Sequence, residues 1–288
     1  MRIGDIIQRN GPVFSFEFFP PKTAQGEDNL YQTIERLRPL QPTFVSVTYG
    51  AGGTTRDKTV ELVRRIKHDI GIEAMAHLTC VGADRDEIDS VLRRLQDSGI
   101  ENVLALRGDP PRDQPAFQRP ANGFGFAAEL VSFIRGRGFP FSVGGAGYPE
   151  GHIECADREQ DLLHLKRKVE CGLDFVITQL FFDNADYFSF VARARAHGIQ
   201  VPIIPGIMPI TNLSQIERFT SMCGARIPDG LRAQLQRVRD HDAAVRDLGI
   251  AHAAAQCREL LRAGAPGIHF YTLNQSPATR AILEQLHG

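Results

Sequence analysis

Short apolar runs rich in Val, Ile and Phe recur along the whole chain, each followed by a segment of helical character. Residues 13–18 precede a helical segment at 27–37, 44–48 precede 56–68, 74–79 precede 86–96, and 102–106 lead through a Pro-rich loop to 126–135. The pattern continues with 141–143 and 160–169, 175–179 and 187–196, 202–205 and 213–222, and 268–273 followed by 279–286. Strands apolar on both sides belong in a sheet covered on both faces, as parallel strands are. Eight such βα units in 288 residues suit a closed (β/α)8 TIM barrel, an α/β fold, better than an open sheet. Residues 228–263 are too many for one unit and predict an extra helix before the last strand. With no internal repeat or low-complexity linker, residues 1–288 are expected to form a single domain.

Charge narrows the function. Thirty-three Lys and Arg against 34 Asp and Glu leave a net charge of −1, so no broad nucleic-acid surface is expected. No apolar stretch approaches the ~20 residues of a membrane span, and no signal-like segment follows Met1-Arg2-Ile3-Gly4-Asp5. The five cysteines are widely spaced and contain no Cys-x-x-Cys pair, which predicts reduced thiols in a soluble cytoplasmic protein. The histidines form neither His-Glu-x-x-His nor His-x-His, so no protein metal site is expected.

Barrel chemistry sits at the C-terminal ends of the strands. Those ends carry Glu17, Thr48-Tyr49, His77, Arg107-Gly108-Asp109, Gln179 and Tyr271. Glu17 lies within Phe14-Ser15-Phe16-Glu17-Phe18-Phe19; burial among Phe rings would raise its pKa and suit a general acid, whereas a salt-bridged rim carboxylate would be structural. Asp109, between Gly108 and Pro110-Pro111, suits either a ligand contact or a loop cap; His77 suits either a ring heteroatom or a structural hydrogen bond. Gly50-Ala51-Gly52-Gly53-Thr54 and Gly144-Gly145-Ala146-Gly147 each read as a strand-to-helix turn that could admit a phosphate or a flat ring, or as an ordinary tight turn. Gly123-Phe124-Gly125-Phe126-Ala127-Ala128 fits a dinucleotide pattern but does not directly leave a strand, so it carries no such assignment. Asp161, His164, Arg167 and Lys168 recur at helical spacing on one face opposite leucines and Val169, forming a stripe for a pyrophosphate and ribose or a solvated face.

Several short motifs, in order, resemble the methylenetetrahydrofolate reductase family through nearly the whole chain. They include Phe14-Ser15-Phe16-Glu17-Phe18-Phe19-Pro20-Pro21, Ala76-His77-Leu78-Thr79-Cys80, Leu106-Arg107-Gly108-Asp109-Pro110, Tyr148-Pro149-Glu150-Gly151-His152, Leu165-Lys166-Arg167-Lys168, Ile177-Thr178-Gln179-Leu180-Phe181-Phe182-Asp183 and His269-Phe270-Tyr271-Thr272-Leu273-Asn274. The resemblance implies noncovalent FAD at the barrel mouth and hydride transfer from NADH or NADPH, through flavin, to 5,10-methylenetetrahydrofolate in ping-pong order. It implies Glu17 as the acid that opens the methylene bridge and Asp109 near both flavin and pterin. Thr48, Tyr49, Ala51, His77, Arg107, Gly108, Ala127, Tyr148, His152, Asp161, His164, Arg167 and Lys168 match cofactor-lining positions, Thr48 on the nicotinamide side. Asp109, Gln179, Gln215, Phe219, Tyr271, Leu273 and Gln275 match substrate positions.

Two positions depart from a familiar bacterial form: His164 replaces Asn, and Gln275 replaces an Arg that meets the folate's glutamate tail. Family likeness also implies a homo-oligomer and admits a separate electron-transfer protein as donor. Because the chain ends at Gly288 after the last barrel helix, the S-adenosylmethionine-binding domain of animal members is not expected, nor is its inhibition. A metal-dependent aldolase using Glu17, His77 and Asp109 is the rival barrel reading.

Overall fold

A computed structural model describes residues 1–9, 11–49, 56–109 and 119–287. Eight strands form one closed parallel barrel in sequence order: β1 (Val13–Phe18), β2 (Phe44–Val47), β3 (Ala74–Thr79), β4 (Asn102–Leu106), β5 (Ser142–Gly147), β6 (Phe175–Leu180), β7 (Ile203–Ile207) and β8 (Gly267–Tyr271). Helix α1 (Ile3–Arg9) precedes β1, and α2 (Ala24–Leu37), α3 (Arg56–Arg65), α4 (Arg85–Asp97), α5 (Ala127–Gly136), α6 (Arg158–Glu170) and α7 (Asn184–Ala196) follow the first six strands in turn. After β7 come α8 (Leu213–Cys223), α9 (Asp229–Arg237) and α10 (Asp242–Arg262); α11 (Pro277–His287) follows β8. The expected extra helix is thus a pair, α9 and the 21-residue α10.

The strand pleat divides the core into two layers. Phe16, Phe18, Val45, Val47, Ala76 and Leu78 pack outward against the helices. Val13, Phe44, Met75, Leu104, Phe175, Ile177 and Ile204 fill the barrel from inside, together with Ile3, Ile6 and Ile7 of α1. Those three isoleucines, spaced i, i+3, i+4, put one apolar face of α1 into the bottom of the barrel. Asn102 secures this plug: its Oδ1 accepts from the Ile3 amide at 2.7 Å, and its Nδ2 donates to Glu73 at 3.0 Å. Ser142 Oγ accepts from the Gly4 amide at 3.0 Å.

The glycine run at 144–147 is not a strand-to-helix turn but most of β5. A Cβ at Gly144 would lie 2.6 Å from the Phe175 ring, and one at Gly145 would lie 2.6 Å from Leu173. Glycine here admits large neighbouring side chains rather than a ligand. Among the described residues no helix is long and apolar enough to cross a membrane, and all five cysteines are free thiols.

Replacing Ile3, fully buried in the plug, by Ala should cost about 2–4 kcal/mol through lost burial and an unfilled cavity. Urea unfolding of the variant against the parent protein measures it.

Candidate active site at the barrel mouth

Above the apolar plug the inward positions turn polar. Glu17 on β1, His77 on β3, Gln179 on β6 and Tyr271 on β8 occupy the C-terminal half of their strands, with Ser15 and His269 one inward position below Glu17 and Tyr271. Glu17, 7% exposed, places Oε2 3.3 Å from His77 Nε2 and 3.4 Å from His269 Nε2. The His77 contact has ion-pair distance without hydrogen-bond alignment, and its Nε2 has no other partner. His269, wholly buried, holds its orientation through Nδ1, 2.8 Å from Ser15 Oγ, and through the flanking rings of Phe44 and Tyr271.

This arrangement reverses the expected charge behaviour of Glu17. Burial presses its pKa upward, but the charge of His77 and the hydrogen bond with His269 outweigh it and hold the carboxyl at about 2. The Phe rings that flank Glu17 in sequence are not its neighbours in space. Alternation sends Phe16 and Phe18 to the helix layer and Glu17 into the barrel.

The β1–β8 seam fixes Glu17 from the backbone side. Thr272 Oγ1 donates to the Glu17 carbonyl at 2.6 Å, while Asn274 accepts from the Phe19 amide at 2.7 Å and donates to its carbonyl at 2.9 Å. Leu273 and Asn274 both adopt left-handed backbone, at φ 52° and 59°. For Leu273 that costs roughly 1–2 kcal/mol, sustained by this clamp.

Across the mouth, Tyr271 donates to the Thr178 carbonyl at 2.6 Å, and Thr178 Oγ1 accepts from the Gly206 amide at 2.9 Å. A side chain at 206 is excluded, since its Cβ would stand 2.3 Å from the Thr178 carbonyl and 2.6 Å from the Tyr271 ring. The β6–β7 register shifts between Ile177 and Leu180, which brackets Gln179 with an irregularity of the kind that re-aims side chains. Phe219 and Leu273 pack with Tyr271 in one apolar cluster, and Gln215, Leu273 and Gln275 line a cleft of 430 Å³ that reaches Tyr271.

A second cluster flanks the mouth. Lys168 Nζ donates to the Ala146 carbonyl at 2.5 Å and lies 5.8 Å from the Tyr148 ring centre. Burial of its ammonium, only partly offset by Asp161, lowers its pKa to about 8. Asp161 accepts from the His152 amide at 3.3 Å, and the rings of His152 and Tyr148 meet edge to face. Burial raises the pKa of Asp161; burial and then the charge of Arg107 lower that of His152. Arg107 forms a two-pronged ion pair with Glu154 at 2.6 and 2.7 Å.

The structure therefore gathers Glu17, His77, Gln179 and Tyr271 at the strand ends and Tyr148, His152, Asp161 and Lys168 beside them. Thr48 is half-buried just beyond β2, and Ala127 is half-buried at the start of α5. His164 and Arg167 are solvent-exposed, as is Leu163, so the leucines of α6 do not all face the core. Asp109 is exposed on the rim. Ala51, with the rest of 50–54, lies outside the described residues.

Four buried polar atoms near the mouth find no hydrogen-bond partner among the described residues: Ser46 Oγ, Tyr49 Oη, His77 Nε2 and Thr79 Oγ1. Buried orphans are costly unless an occupant or water pairs with them. Gly108 lies close by at φ 86°, and a Cβ there would meet Val81 at 2.6 Å and Thr79 at 2.9 Å. Unpaired polar atoms on β2 and β3 and a side-chain-free approach over Thr79 fit a large, flat, polar cofactor.

A model of the family described as methylenetetrahydrofolate reductase matches residues 2–287. The chain belongs to that family. It is 42% identical over 273 residues to 5,10-methylenetetrahydrofolate reductase of Escherichia coli, covering 94% of this chain and 90% of that one. It is 41% identical over 295 residues to methylenetetrahydrofolate reductase (NADH) 1 of Arabidopsis thaliana, covering 99% of this chain and 50% of that one. The chain spans about half the length of the plant and fission-yeast relatives it matches. A Clostridium thermocellum protein whose structure is described as binding two copies of 5-methyl-5,6,7,8-tetrahydrofolic acid shares the fold at TM-score 0.65 and 16% identity, covering 99% of this chain and 97% of that one.

Sequence reading of this family member missed Ser15, His269, Thr272 and Gly206. The first two were available from alternation, because Ser15 must share the face of Glu17, and His269 that of Tyr271. Gly206 carries no comparable signal, since only the crossing of Tyr271 over β7 explains it.

A depressed Glu17 pKa makes the ionised carboxylate stabilising above pH 4.5, with that contribution lost as pH falls toward 2. Side-chain carbon NMR of ligand-free protein should show Glu17 still ionised at pH 4, where exposed glutamates are about two-thirds protonated. Titration of Glu17 near or above pH 4.5 would contradict the assignment.

Proposed function

We propose that this chain is a flavin-dependent reductase of 5,10-methylenetetrahydrofolate, with FAD bound noncovalently and NADH or NADPH as donor. The observation that carries this reading is Glu17, buried and in contact with two imidazoles, at the mouth of a barrel of this family. The chemistry a bound FAD supplies is hydride transfer in two turns, from the nicotinamide and then to the folate, in ping-pong order.

The unpaired hydroxyls of Ser46 and Thr79, with the bare Gly108, would receive the cofactor ring, beside Tyr49 and His77. Lys168, Asp161, His152 and Tyr148 would hold its ribose and phosphates, with Arg167 and His164 at the solvent edge. Lys168 loses part of its charge above pH 8, so its hold on a phosphate weakens in alkali. Asp109 on the rim, Gln179, and the Phe219–Tyr271–Leu273 wall would contact the folate.

Glu17 supplies the proton. In the open site it is ionised, with His77 and His269 against its Oε2. A pterin seated over Glu17 excludes water, which favours the neutral carboxyl and moves the proton to Oε2. Oε2 then donates to the amine nitrogen as its bond to the methylene carbon breaks. The electrophilic iminium left behind accepts hydride and becomes the methyl group. Ser15 and Thr272 keep the partners in place during this transfer, Ser15 through His269 and Thr272 through the Glu17 carbonyl.

An anaerobic absorbance spectrum of purified protein should show two flavin bands that bleach on adding NADH or NADPH. In stopped-flow experiments Glu17→Gln should leave that bleaching within a few-fold of the parent while slowing reoxidation by methylenetetrahydrofolate about 10²–10⁴-fold. Equal loss in both half-reactions would reduce Glu17 to a structural role, and failure to bind flavin at all would remove the reductase reading.

A further inference from the structure

Glu150, in the loop between β5 and α6, ties together two walls of the mouth. Its loop carries Tyr148 and His152. Both its carboxylate oxygens accept from the Arg226 amide, at 3.0 and 3.2 Å, across 76 residues of chain. Arg226 lies in the corner between α8 and α9, and α8 brings Phe219 into the apolar cluster with Tyr271. The corner is docked on its other sides as well. Ile227 is buried in the cluster of Leu180, Phe182 and Ile216. Gly224 ends α8 in left-handed backbone at φ 77°, where a Cβ would stand 3.7 Å from Ile153 of the Glu150 loop.

The surroundings leave the Glu150 carboxylate poorly compensated. Asp183 and Asp186, at the start of α7, draw on the Arg226 guanidinium at 3.7 and 3.6 Å, beyond hydrogen-bond distance. Asp186 Oδ2 is buried and has no hydrogen-bond partner among the described residues. Arg158, which opens α6, is the other cation that bears on Glu150, and it is exposed. Cys223, the last residue of α8, is a half-buried thiol within reach of the Glu150 charge. Burial is the largest influence on Glu150; with the charge of Asp186 it outweighs the Arg226 amide and the two guanidinium groups and raises the pKa from 4.5 to about 7.

We propose that Glu150 is a positioning residue that clamps the α8–α9 corner to the β5–α6 loop when it is protonated and loosens that corner when it is ionised. A neutral carboxyl still accepts from the Arg226 amide, and it sets no further negative charge beside Asp186. The docked corner therefore favours the proton. That contribution is whole below pH 4.5 and is lost as pH rises through 7, the proton passing to water. The wall built on α8 is held more firmly in acid than in alkali. This inference does not rest on the folate reading, since every contact in it is made within the chain.

Cys223 serves as a built-in reporter of the corner. Its labelling by dithiodipyridine, located by peptide mass spectrometry, is compared between the full-length parent chain and Glu150→Gln from pH 5.5 to 8.5. Gln keeps an acceptor for the Arg226 amide but cannot ionise. The parent-to-variant ratio of rates at Cys223 should rise about tenfold or more over that range. An ionised Glu150 acting on Cys223 through charge alone would keep the thiol protonated and make the ratio fall. A flat or falling ratio would overturn the proposal. Glu150→Ala, which lacks the acceptor, should label at Cys223 about tenfold faster than the parent at pH 5.5; an unchanged rate would overturn it as well. Cys257, wholly buried on α10, reports opening of the whole barrel. Its rates should agree among the three proteins at each pH, and a rise there parallel to that at Cys223 would assign the effect to global unfolding and overturn the clamp.

Discussion

A closed parallel barrel has one interior, and every strand must give it every second side chain. In this chain that interior is divided along its axis. The lower half is filled with aliphatic and aromatic groups and stoppered by α1; the upper half carries a carboxylate, imidazoles, an amide and a phenol. The division matters energetically. Apolar packing below excludes water from beneath Glu17, so among the described residues its carboxylate is met at close range by His77 and His269 and otherwise faces whatever enters from above. The plug and the Glu17 carboxylate are two ends of one packing arrangement.

The mouth is organised by opposed charges held at short range. Glu17 is kept ionised by imidazoles, whereas Lys168 is pushed toward neutrality by burial and only partly supported by Asp161. Both groups are thereby made responsive to an arriving ligand: excluding water favours a proton on Glu17, and an added phosphate favours one on Lys168. Rigid elements set the distances. The left-handed turn at Leu273–Asn274, the bare carbon of Gly206 and the hydroxyl bridge from Tyr271 to Thr178 all lie within the seam formed by β6, β7, β8 and β1.

Much of this was legible in the sequence, for reasons that individual elements make plain. Strands with bulky apolar residues announced themselves, and the bounds of β1, β3 and β4 agree with the expected ones. β5 was expected at 141–143 but runs on to Gly147, because glycines selected by neighbouring Phe175 and Leu173 look like a turn when those neighbours are unknown. α1 was overlooked among polar residues, although Ile3, Ile6 and Ile7 stand at helical spacing. Glu17 was identified as chemically important while its charge behaviour was inverted, because chain neighbours were taken for spatial ones.

The seam between β1 and β8 has a consequence in time as well as in space. Glu17 meets His269 across 252 residues of chain, and its carbonyl meets Thr272 across 255. During synthesis the first strand is made early and must wait for the last before its carboxylate acquires an imidazole or its backbone acquires the clamp. Contacts this remote form late, after the entropy of closing a long loop has been met. A barrel with seven strands in place would carry a buried glutamate facing an open edge, without His269 and with β1 free to pair elsewhere. Completion of the fold and assembly of the Glu17–His77–His269 cluster are consequently one event, so no partly closed barrel on the folding route carries the assembled cluster.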